Sequence, residues 1–151
     1  MKIKSAKKAY PFFELFEKFI KESKTGRRLQ PNGKRITVGT INNYLCVQKL
    51  LRKFCQEKGF ELRVRSVKHL TQREMTVEKN YWMKFYKKFT DYLYNNCGYF
   101  DNYAGQNIKI LRTFFGYLHL AQDSRPVPGC YYSNRFRNLP ILQYLTTLFY
   151  P

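Results

Sequence analysis

Aromatic and aliphatic side chains recur every three or four positions in four stretches of this 151-residue chain, and a glycine follows each of the first three. An α-helix turns once in about 3.6 residues, whereas strand side chains alternate in twos, so the pattern predicts an all-α fold. The first stretch runs from Pro11 to Lys24, with Phe12, Phe16, Phe19 and Ile20 in step, Phe13 and Leu15 beside them, and Gly26 as its stop. Pro11 suits a first helical position, where its missing N–H is not needed. The second runs from Val38 or Thr40 to Lys58; Ile41, Tyr44, Leu45, Leu51, Phe54 and Cys55 share one arc, and Gly59 ends it. The third spans Val77 to Asn96, with Tyr81, Trp82, Phe85, Phe89, Tyr92 and Leu93 on its apolar side. The fourth spans Asn102 to Leu118, capped by Asp101 or Asn102, with Ala104, Ile108, Leu111, Phe115 and Leu118 in register. These aromatics lie on inner faces and are expected to form the core.

Between the helices the signals change. Residues 25–36, TGRRLQPNGKRI, carry a turn signal at Pro31-Asn32-Gly33 with room for short arms on either side, which predicts a small basic hairpin-like loop. Residues 60–77 read as extended or irregular, with alternation from Phe60 to Arg65. From His119 to Pro151 there are four prolines and few charges, and an irregular C-terminal tail is expected. The chain therefore divides into a basic N-terminal arm (1–9), a helical body (10–118) and an atypical tail (119–151). Within the tail, residues 139–150 are the segment suited to docking on a partner.

The formal net charge is +18. Such an excess on a small chain points to a polyanionic partner. It is carried by the body: no lysine follows Lys109, and residues 119–151 hold only Arg125, Arg135 and Arg137 against Asp123. The longest apolar runs fall short of the ~18–20 residues that a bilayer span needs. The basic start lacks the apolar stretch of a secretory signal, so a cytoplasmic chain is expected, with Cys46, Cys55, Cys97 and Cys130 as free thiols. Two histidines, His69 and His119, and no C-x-x-C pair make a metal site or cofactor unexpected. Phosphate-loop, nucleophile-elbow and zinc-protease motifs are absent, and no small-molecule substrate is expected.

The order of these segments resembles the N-terminal core-binding, SAM-like domain of tyrosine recombinases of the phage integrase family, most of all integrases of bacterial mobile elements. Thr40 and Tyr44 match a T-x-x-x-Y element, Phe89 to Leu93 an F-x-x-Y-L-like one, and Ile108 to Phe114 an I-K-x-L-x-x-F run. The resemblance covers residues 10–118. It implies a four-helix orthogonal bundle forming half of a clamp on duplex DNA, with the second and fourth helices approaching the major groove and other recombinase subunits as partners. It implies further that catalysis resides in a separate C-terminal domain, where a tyrosine attacks the scissile phosphate and arginines stabilise the developing charge. The family's H-x-x-R box is missing: Gln72 stands three residues after His69, and Gln122 three after His119. No catalytic residue is assigned, and residues 119–151 are expected to be out-of-frame sequence in place of the catalytic domain.

Combining charge, helical phase and resemblance, Lys34, Arg35, Lys49, Arg52, Lys53, Lys109 and Arg112 are the candidates for backbone phosphates. Asn42, Asn43, Gln106 and Thr113 carry amides and a hydroxyl able to read base edges. The rival readings are an RNA-binding or other basic interaction protein, and a recombinase subunit whose catalytic half is supplied elsewhere.

Overall fold

The structure is a computed structural model that describes residues 9–65 and 70–122. In chain order it contains β1 (Ala9–Pro11), α1 (Phe12–Thr25), α2 (Val38–Lys58), β2 (Arg63–Arg65), α3 (Gln72–Asp91), a π-helical turn (Tyr92–Asn96) and α4 (Asp101–Gln122). Helix dominates the described residues, as the periodicity predicts. The small antiparallel sheet pairs Ala9 with Arg65, Tyr10 with Val64 and Pro11 with Arg63. The N-terminal arm, apart from Ala9, and most of the tail lie outside the described residues, as do His69 and Cys130.

Two aromatic clusters hold the helices together. In the first, Phe19 of α1 lies 4.8 Å from the Tyr44 ring of α2, 5.5 Å from Phe114 and 5.2 Å from Tyr117 of α4. In the second, Phe54 of α2 meets Phe85, Phe89 and Tyr92 at 5.8, 5.3 and 5.4 Å. Helix α4 joins the clusters: Phe114 packs on Phe16 at 4.7 Å while its neighbour Phe115 packs on Trp82 at 4.9 Å. Centroid separations in this range add about 0.5–1.5 kcal/mol per pair to the burial of ring area. Of the residues that carry the resemblance, Tyr44, Phe89, Tyr92, Leu93, Leu111 and Phe114 are buried in this core, Thr40 and Ile108 are half-buried, and Lys109 is exposed.

The basic loop forms its turn at the expected place. Gln30 and Gly33 close it, Gly33 N–H donating to Gln30 O at 2.9 Å, and Gly33 takes φ 77°, which a side chain would resist. Asn32 Oδ1 accepts from Lys34 N–H, and an isolated antiparallel bridge joins Leu29 to Arg35. Within 60–65 the alternation is real: Phe60, Leu62 and Val64 are buried, although only Arg63–Arg65 pairs as a strand.

Several boundaries differ from the sequence reading. Pro11 precedes α1 as its cap, in extended conformation, because it still pairs with Arg63 as the last residue of β1. Helix α3 begins at Gln72, not Val77. Thr71 and Glu74 form a capping box, with the Glu74 carboxylate accepting from Thr71 N–H at 2.8 Å and Thr71 Oγ1 accepting from Glu74 N–H at 3.4 Å. The end of the third stretch widens into the π turn, whose Cys97 N–H reaches Tyr92 O at 3.0 Å. At α4 the capping carbonyl is that of Phe100, which accepts from Tyr103 and Ala104 N–H, so Asp101 is the first helical residue rather than the cap. The core also takes Val47, Ile110 and Phe114, and α4 continues past Leu118 to Gln122.

Candidate nucleic-acid interface

Helix α2 starts at a side-chain cap. Thr37 Oγ1 accepts from Thr40 N–H at 3.3 Å, and the preceding Ile36 is buried, anchoring the basic loop to the helix start. Burying Ile41, Tyr44, Val47, Leu51 and Phe54 fixes the rotation of the helix. The opposite side then shows Asn42, Cys46, Lys49, Lys53 and Gln56, all exposed, at spacings of four, three, four and three. They make one continuous stripe. Asn43 and Arg52 are exposed too, but fall on the two flanks of that stripe.

Helix α4 repeats the arrangement. Its buried side is Ala104, Ile110, Leu111, Phe114, Phe115 and Leu118. Asn102, Gln106 and Lys109 are exposed on the other side, and half-buried Thr113 continues them at the same spacing. Thr113 Oγ1 donates to Lys109 O at 3.0 Å, so its hydroxyl oxygen keeps only an acceptor role. Arg112 is half-buried beside the stripe. Helices α2 and α4 touch each other and both pack on α1.

The cations in and beside these stripes differ in their commitments. Lys34, Lys49 and Lys109 are exposed and have no carboxylate within ion-pair distance among the described residues. Arg35 is exposed and lies over Gly26, whose Cβ position is 3.2 Å from the arginine Nε. Lys53 has Glu57 one turn on, at 3.7 Å. Arg52 is tied sideways to α1, with Glu17 at 2.7 Å and its guanidinium 4.4 Å from the Phe13 ring centroid. All four partners in these two pairs are about half exposed, and such pairs contribute only about 0–1 kcal/mol, so neither carboxylate holds its cation tightly.

Two features escape a linear reading. Arg28 belongs by sequence to the basic loop, yet it points inward. It donates to Ser23 Oγ at 3.2 Å and Tyr44 Oη at 3.3 Å and lies 4.6 Å above the Phe19 ring. A neighbouring contact reinforces it: Tyr117 Oη donates to Glu22 at 2.8 Å, and burial, then that bond, pushes the Tyr117 phenol upward. Glu78 is the second. It is 1% exposed and meets Arg63 at 2.7 Å and Arg65 at 3.5 Å. Two arginines of the irregular basic stretch thereby serve the β2–α3 junction. The S/T-x-x-E spacing of Thr71 and Glu74 announces the earlier helix start that puts Glu78 on the inner face.

Among the described residues no three His, Cys, Asp or Glu side chains converge as a metal site, and no helix is long and apolar enough to cross a membrane. In comparisons with known proteins, no family model, no curated protein and no solved structure matches this chain.

Proposed function

We propose that this chain is a duplex-DNA-binding module, equivalent to the SAM-like core-binding half of a phage-integrase-family recombinase, that grips DNA without cutting it. The observation that carries the reading is the pair of exposed stripes, Asn42–Lys49–Lys53 on α2 and Gln106–Lys109–Thr113 on α4. They lie on the two helices that the resemblance assigns to the groove. Each stripe combines cations with amides or a hydroxyl. Cations fix register on the phosphates, while amides and hydroxyls discriminate base edges. Lys34 and Arg35 extend the cationic edge at the start of α2, where the helix dipole also favours an anion. In this reading the helices pack as an orthogonal bundle, and the chain works beside recombinase subunits at a shared site.

Cys46 supplies a direct test, since its exposed thiol lies between Asn42 and Lys49 in the α2 stripe. Duplex DNA should protect Cys46 from maleimide labelling, and labelled protein should bind duplex more weakly. Equal labelling rates with and without saturating duplex would refute the interface. Stronger protection by single-stranded RNA than by duplex DNA at matched salt would favour RNA instead.

A further inference from the structure

The outward face of α3 carries cations that the proposed interface does not use. Lys84 and Lys87 are exposed, and with Asn80, Met83 and Lys88 they form one open patch on α3. Neither Lys84 nor Lys87 has a carboxylate within ion-pair distance among the described residues. Asp91, one turn beyond Lys87, has its Oδ1 occupied by Asn95 Nδ2 at 2.5 Å. Lys88 sits at the edge, with Nζ 6.0 Å from the Phe60 ring centroid. Lys84 to Lys88 covers one helical turn, about 6 Å along the axis, which suits an anion whose charges repeat along a line.

The direction of this face matters. Helices α2 and α3 meet through Phe54 against Phe85 and Phe89. Lys87 lies on the far side of α3 from that contact, and Lys49 lies away from it on α2. The two cationic faces are thus turned outward from opposite sides of the helix pair. We infer that α3 presents a second phosphate-binding face, through which one chain bridges two nucleic-acid segments. This rests on the DNA-binding reading above. A membrane surface fits less well: an interfacial helix lays its large apolar side chains into the lipid, whereas Trp82, Phe85 and Phe89 of α3 are buried in the core.

The test is a capture assay with the full chain, using an immobilised duplex and a second, fluorescent duplex of unrelated sequence. Wild-type protein should retain the fluorescent duplex. Lys84→Glu/Lys87→Glu should reduce that retention by about tenfold or more while changing affinity for a single duplex by less than about threefold. Lys84→Gln/Lys87→Gln, with unchanged circular dichroism, should give an intermediate loss. If wild type binds one duplex but never retains the second, or if the charge-reversed variant bridges as well as wild type, the bridging inference fails and the primary interface stands. If wild type binds no duplex at all, the functional reading itself fails. Binding of the α3 face to anionic vesicles, with no capture of the second duplex, would also overturn the inference.

Discussion

Arg28 and Lys34 lie in one basic loop yet act in different ways, and their charge alone does not separate them. Arg28 is held by Ser23 of α1 and Tyr44 of α2, and the second contact exists only after the two helices pack. Arg28→Ala should therefore cost about 1–2 kcal/mol in urea unfolding, by loss of the hydrogen bonds and the ring contact. Lys34→Ala should stay within about 0.5 kcal/mol. The thiols divide likewise. Burial pushes Cys55 up from 9.0 to about 11, thinning its thiolate about 100-fold near neutral pH. Peptide mapping after brief alkylation at mildly alkaline pH should find Cys46 modified well before Cys55; equal rates would contradict the burial of Cys55. Tyr117 provides a pH signature. Its phenol is raised above the usual 10.0 by burial and by the bond to Glu22, so the folded chain favours the neutral form. That stabilisation is fully present below pH about 10 and is lost as pH rises above it. Tyr117→Phe should flatten the loss of stability on the alkaline side, measured as the urea midpoint against pH.

Among the elements, the helix interiors were legible from period alone, since burying Phe16, Leu51, Phe85 and Leu111 requires those phases. The ends were less so. The start of α3 depends on the Thr71–Glu74 box, and the apolar period before Val77 is too weak to carry the helix backward to Gln72. Thr71→Ala should destabilise by about 1 kcal/mol and increase amide exchange in the first turn. Glu78 was not legible as a core residue, because a carboxylate on the inner face makes sense only beside Arg63 and Arg65, brought there by β2. Glu78→Ala leaves those arginines without their carboxylate and should cost about 2–3 kcal/mol, since both retain some solvent. The α2 and α4 stripes were legible, as the residues left over once the inner arcs are filled. The outward face of α3 was legible in the same way; the inward turn of Arg28 was not, because it follows from neither charge nor period along one helix.

At the scale of the whole molecule, the proposed interface turns a basic, polar surface of α2 and α4 toward duplex DNA. The most direct measurement is duplex affinity against salt concentration for wild type and Lys49→Glu/Lys109→Glu. Each phosphate contact contributes about 0.9 to the slope of log affinity against log salt. Binding by the double variant should weaken by about tenfold or more at low salt, and its slope should become shallower by about 2. An affinity and slope equal to wild type at every salt concentration would contradict the account.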